Sequence, residues 1–61
     1  MNYNNLVKSL QEDGWILDSQ RGSHRYFKHP VKSGKVTVPY HGNNMEIHPK
    51  TVKSILKQAG L

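Results

Sequence analysis

The spacing of apolar residues changes period twice along this chain, and that change constrains the fold more than any other feature. Near the start, Tyr3, Leu6, Val7 and Leu10 recur at offsets of 3, 4 and 7, one stripe of an α-helix. Near the end, Val52, Ile55, Leu56 and Ala59 repeat those offsets. Between them the period is two, the signature of strands that turn one face to a core and the other to water. Asn2 can cap the first helix, and Gly14 suits the left-handed residue after it. Glu12 and Asp13 lie at the helix pole that disfavours acids, so that terminus is expected to be weakly held. Trp15–Gln20 reads as a strand and Arg21-Gly22-Ser23 as a turn. His24–His29 reads as a second strand, with His29 at its end, broken by Pro30 to Gly34. Lys35–Val38 alternates as a third strand stopped by Pro39, and Tyr40–Asn44 is a loop. His48 stands at a capping position, Pro49 fits the first turn of the closing helix, and Gly60 can end it.

This order predicts one α+β domain over residues 1–61, α-β-β-β-α, with a three-stranded antiparallel sheet and two helices on one face. Both helical stripes need the same apolar side of the sheet, which Phe27, Val36 and Val38 supply. Alternation then sends His24, Tyr26, Lys28, Lys35 and Thr37 to the open face. In the first strand, Trp15 and Leu17 are expected inward and Asp18 outward. With 61 residues, 34% of them hydrophobic, the core must be thin. Cysteine is absent, so neither a disulfide nor a thiolate–zinc site reinforces it, and a reducing cytoplasm is the natural setting. The longest apolar run, Trp15-Ile16-Leu17, is far short of a bilayer span, so no membrane association is expected.

Nine Lys and Arg against four Asp and Glu give a net charge of +5, which favours a polyanionic partner. All four acids, Glu12, Asp13, Asp18 and Glu46, fall outside the stretch from Ser19 to Met45. That stretch holds Arg21, Arg25, Lys28, Lys32 and Lys35, all five of which are expected to contact phosphate, and three of the four histidines. The histidines stand 5, 12 and 7 residues apart, which matches no zinc-ligand spacing, so neither a metal nor another cofactor is expected. Ser23 has no Asp–His relay in view, so serine nucleophile chemistry is not supported.

His24 has different surroundings. It follows a glycine-containing turn, begins a strand on the open face, and is flanked by cations able to hold a phosphate. An imidazole beside a clamped phosphate is a minimal apparatus for cleaving RNA by attack of the adjacent 2′-hydroxyl. A surface histidine that merely hydrogen-bonds a backbone phosphate fits the same residues, and the spacing leaves both readings open.

The run Gly22-Ser23-His24-Arg25-Tyr26-Phe27-Lys28-His29-Pro30 resembles the G-S-H-x-x-F/Y-x-H/N-P stretch of HicA-type mRNA interferase toxins. Val36-Thr37-Val38-Pro39-Tyr40-His41 is similar to the family's V-T-V-P-x-H, and Thr51 to Leu61 to its closing helix. Gly14-Trp15 sits where these toxins carry a glycine followed by an aromatic residue. Lys50 departs from the pattern, standing where a glycine is common at the helix start.

The resemblance implies a double-stranded-RNA-binding-like fold and endoribonuclease activity on mRNA. It also implies that His24 occupies the catalytic position and that a HicB-type antitoxin neutralises the toxin in a hetero-oligomer. The residues expected to contact RNA are Arg21, Gly22, Ser23, Arg25, Tyr26, Lys28, Lys35 and His41. Tyr26, Lys28 and His41 are all candidates for the general acid. A non-catalytic RNA-binding module would use the same basic face, and an acidic protein target is a third reading.

Overall fold

The computed structural model describes residues 1–61. Helix α1 (Tyr3–Glu12) is followed by strands β1 (Ile16–Arg21), β2 (His24–Lys28) and β3 (Val36–Pro39), and helix α2 (Pro49–Gln58) closes the chain order. The strands form one antiparallel sheet in the order β1-β2-β3. The architecture is therefore the expected α+β one, with β1 and β3 set one residue later. Arg21 ends β1 rather than opening the turn, and Pro39 closes β3 rather than stopping short of it. A proline is tolerated there because β3 is an edge strand.

Local chemistry fixes the helix ends. The Asn2 side chain accepts the Asn5 N–H at 2.9 Å, and His48 Nδ1 accepts the Lys50 N–H at 3.1 Å ahead of Pro49. Both helices end in the same paired arrangement. Trp15 N–H reaches the Leu10 carbonyl at 3.0 Å, and Leu61 N–H the Leu56 carbonyl at 2.8 Å. Gly14 makes the first of these turns at φ +105°, and a Cβ there would lie 2.7 Å from His29 Nε2. Only glycine fits.

Ten residues form the core: Tyr3, Leu6, Leu10, Trp15, Phe27, Val36, Val38, Ile47, Ile55 and Ala59. Phe27 stands directly opposite Val36, and residues paired in this way share a face. Side chains of both helices join this cluster, so both cover the same side of the sheet. Ile47 comes from a stretch without periodicity. It is drawn in because the chain there pairs with the start of α1, through Tyr3 N–H to Met45 O and Ile47 N–H to Met1 O.

Leu17 departs from expectation. It is 44% exposed, and no side chain of β1 is buried. Leu17 faces the core side opposite Phe27, but β1 is an edge strand beyond the cover of the helices. The pairing of β1 is also irregular: Leu17 faces Phe27 and Ser19 faces Tyr26, which leaves Asp18 as an extra, bulged residue.

The C-terminus of α1 is not weakly held. Lys32 Nζ lies 2.5 Å from the Asp13 carboxylate and 3.0 Å from the Ala59 carbonyl, joining the ends of both helices. His29 Nδ1 accepts the N–H groups of Val31 and Lys32, which leaves Nε2–H to donate to the Asp13 carbonyl at 2.6 Å. Its ring meets Trp15 edge-on. His29 thus acts as a clamp rather than a simple strand end, and Lys32, expected on phosphate, is committed inside the fold. The Lys32 hydrogen bond, reinforced by its charge, holds the Asp13 carboxyl below the usual range against a smaller opposing effect of burial. No helix is long and apolar enough to cross a membrane.

Candidate nucleic-acid interface

The open face is built on β2. His24, Tyr26 and Lys28 alternate outward while Phe27 points into the core. Across the pairing with β1, Arg21 stands opposite His24, Ser19 opposite Tyr26 and Ile16 opposite Lys28. Across the pairing with β3, Pro39 stands opposite His24 and Thr37 opposite Tyr26. The bulge at Asp18 decides which β1 residues join this face. Regular pairing onward from Leu17 would set Asp18 against Tyr26 and Ser19 against Arg25. With Asp18 taken out as the extra residue, Ser19 and Arg21 arrive beside Tyr26 and His24.

His24 is exposed at the start of β2. The turn before it is held by Gln20, whose amide donates to the Gly22 carbonyl at 3.1 Å. Beyond β3 the ladder continues by one bond, Tyr40 N–H to Ser23 O at 2.7 Å. This carries the exposed His41 past the turn formed by Gly22 and Ser23, next to the end of the sheet that bears His24. Arg21 and His24 therefore share one end of the open face beside the Gly22-Ser23 turn, Tyr26 and Lys28 extend from it, and His41 follows Tyr40 in the loop beyond that end.

Arg25 does not belong to this set. It lies on the helix side of the sheet, with Cζ 3.5 Å from the centre of the Tyr40 ring and Nη1 donating to the Tyr3 hydroxyl at 3.1 Å. Its Nε donates to Gln20 Oε1 at 3.2 Å. Alternation dictates this, since Arg25 shares a face with Phe27. Arg25, expected among the RNA contacts, therefore stands on the face opposite His24. Lys28 stays on the open face, but its ammonium lies 3.3 Å from the Asp18 carboxylate.

Two depressions mark the surface. One, of about 570 Å³, is lined by Gln11, Gly14, Trp15, Ile16, Leu17 and Pro30 at the β1 edge, and holds no charged or titratable group. The other, of about 290 Å³, is lined by Ser19, Arg21, Tyr26 and Lys35 on the open face. The smaller one sits where charge and chemistry are. Ser19 is the lining residue absent from the sequence reading, and nothing in the sequence marks which residue of the polar run Asp18-Ser19-Gln20 is bulged. No three His, Asp or Glu side chains gather at one point.

The model of a family described as HicA toxin of bacterial toxin–antitoxin matches residues 3–61. A solved structure described as a toxin–antitoxin complex from Streptococcus pneumoniae is similar over 100% of this chain and 98% of the other, with 31% identity and a TM-score of 0.80. No curated protein matches.

Proposed function

The chain belongs to the HicA toxin family, and we propose that it acts as a metal-independent endoribonuclease on mRNA in the cytoplasm, with His24 as its general base. The observation that carries this reading is the register of β1 against β2: Arg21, a cation with no partner inside the fold, lies directly opposite the exposed His24. A phosphate drawn to the Arg21 guanidinium is thereby brought beside the imidazole.

His24 takes the proton of the 2′-hydroxyl, and that oxygen attacks the adjacent phosphorus. The bond from phosphorus to the 5′-oxygen breaks, leaving a 2′,3′-cyclic phosphate on one fragment and, after protonation, a 5′-hydroxyl on the other. Arg21 offsets the charge that builds on the non-bridging oxygens. The 5′-oxygen leaves opposite the attacking 2′-oxygen, so its proton comes from a second group on the open face, across the phosphate from the His24 imidazole. Tyr26 is the next outward residue of β2 after His24 and His41 lies in the loop beyond β3, whereas Lys28 is turned toward Asp18.

The deciding experiment incubates the protein, in EDTA, with a defined RNA and with its DNA counterpart. Cleavage of RNA alone is expected, and it should be abolished in His24→Ala without a change in melting temperature. RNA bound but uncut by the wild type would instead make this a non-catalytic binding module. Near wild-type cleavage by His24→Ala would remove His24 from the mechanism.

The partner in this reading is a HicB-type antitoxin in a hetero-oligomer with the toxin. The simplest block is to cover the open face with an acidic or hydrogen-bonding surface that meets Arg21, with association fast and salt-sensitive. An interface of ordinary size takes about 800 Å² from each partner, which from His24 would reach the loop around His41. Antitoxin and RNA should then compete, and the complex should protect His24 from diethyl pyrocarbonate. Unchanged RNA affinity in the complex would rule out direct occlusion.

A further inference from the structure

The basic stretch between Ser19 and Met45 contains five Lys and Arg residues, and the fold uses most of them internally. Arg25 is stacked on Tyr40, Lys32 is bound to Asp13 and Ala59, and Lys28 faces Asp18. Arg21 and Lys35 alone have no partner. These two cations line the same depression, together with Tyr26 and Ser19. Tyr26 is half-buried in the middle of the central strand, between Ser19 on one side and Thr37 on the other. The site therefore combines one phenol ring, two free cations and the Ser19 hydroxyl.

Duplex RNA is recognised mainly through phosphates and 2′-hydroxyls spread along a helical surface. Unpaired RNA is recognised by stacking a splayed base on an aromatic side chain while cations hold the backbone on either side. The open face has the second arrangement. Its free cations are not spread along a surface but flank a single ring, and the volume of about 290 Å³ is small even for a ligand pocket.

We infer that the depression lined by Ser19, Arg21, Tyr26 and Lys35 is a subsite for one unpaired nucleotide, with its base against Tyr26 and its flanking phosphates on Arg21 and Lys35. Because Arg21 pairs with His24, this nucleotide adjoins the phosphate that is cut. The substrate is then single-stranded RNA, although the fold resembles one associated with duplexes. This inference rests on the reading of the open face as the RNA surface.

The test titrates the full chain with a short single-stranded RNA carrying 2′-fluoro sugars, which lack the attacking hydroxyl, and with the same strand annealed to its complement. Wild type should bind the single strand more tightly than the duplex. Tyr26→Leu should weaken single-strand binding by about tenfold or more, as expected for loss of one stacked base. Tyr26→Phe should stay within about twofold of wild type, since the ring is kept. Thermal melts of each variant establish that it is folded.

Equal or tighter duplex binding by wild type would overturn the inference, as would a folded Tyr26→Leu that binds the single strand normally. If Arg21→Ala still weakens binding in that last case, the RNA surface stands and only the subsite falls. If wild type binds neither oligonucleotide, both readings fall together.

Discussion

Arg21 and Arg25 are four residues apart in one basic stretch, and the fold gives them opposite tasks. Arg25 follows strand alternation to the helix side, where its guanidinium lies over Tyr40 and reaches the Tyr3 hydroxyl. Arg21 is delivered to the open face, opposite His24. Lys28 is intermediate, since Asp18 competes with any phosphate for its ammonium. Asp18→Asn should therefore release Lys28 and raise RNA affinity. The salt dependence should steepen by about 0.7 in log–log slope, the value of one further phosphate contact on a single strand. An unchanged slope in a salt titration would show that Asp18 does not restrain Lys28.

Asp13 offers a separate test through pH. Its carboxyl is held below the ordinary value by Lys32, so the folded state favours the ionised form. The stability this contributes is complete above the unfolded pKa of about 3.9 and is lost as pH falls through the lower folded value. Wild type should thus melt higher than Asp13→Asn near pH 6, with the gap closing in strong acid. A gap independent of pH would mean that the charge of Asp13 is not what matters.

At the level of elements, the bulge in β1 controls how the site is assembled. An inserted residue bends a strand and changes which side chains reach a face, and such insertions recur beside active sites. Here Asp18 is the extra residue, so deleting it should restore regular pairing while Ser19 and Arg21 keep their places opposite Tyr26 and His24. The deletion variant is expected to melt within a few degrees of wild type and to bind RNA at least as tightly. Loss of the fold or of affinity would show that the bulge shapes more than register.

The bulge was not legible beforehand. Asp18-Ser19-Gln20-Arg21 is polar throughout, and without an apolar alternation the sequence contains no record of register. The helices were legible because their stripes and caps are local, as were β2 and β3, where Phe27, Val36 and Val38 set the faces. Ile47 and the His29–Lys32–Asp13 clamp were not, since each depends on contacts between distant segments. For the same reason His24, Tyr26 and Lys28 could be placed on the open face by counting along β2. Ser19 could not, because its place depends on β1.

For the molecule as a whole, small size and uneven charge set the remaining expectations. A chain of 61 residues has a net stability of only a few kcal/mol, roughly 0.05–0.15 kcal/mol per residue. Phe27 is 1% exposed and central to the core, so Phe27→Ala should cost about 3–5 kcal/mol and leave the protein largely unfolded in a urea or thermal melt. An undisturbed melt would place that ring outside the core. Charge is distributed as unevenly as packing. Lys8, Lys50, Lys53 and Lys57 belong to the two helices, which cover the side of the sheet away from His24. Arg25 and Lys32 are used within the fold. Only Arg21 and Lys35, with Lys28 when it leaves Asp18, remain to neutralise phosphates on the open face. With RNA as the proposed ligand, the net charge of +5 would act at long range, whereas counterion release depends on the phosphates actually met. Two or three contacts at about 0.7 each predict a log–log salt slope of about 1.4–2 on single-stranded RNA. Arg21→Ala should lower that slope by about 0.7, and Lys53→Ala should leave it unchanged. A slope of about 3.5 would require all five cations of the basic stretch, Arg25 and Lys32 included, to meet phosphate. Equal effects at Arg21 and Lys53 would mean that RNA lies on the helices as much as on the sheet.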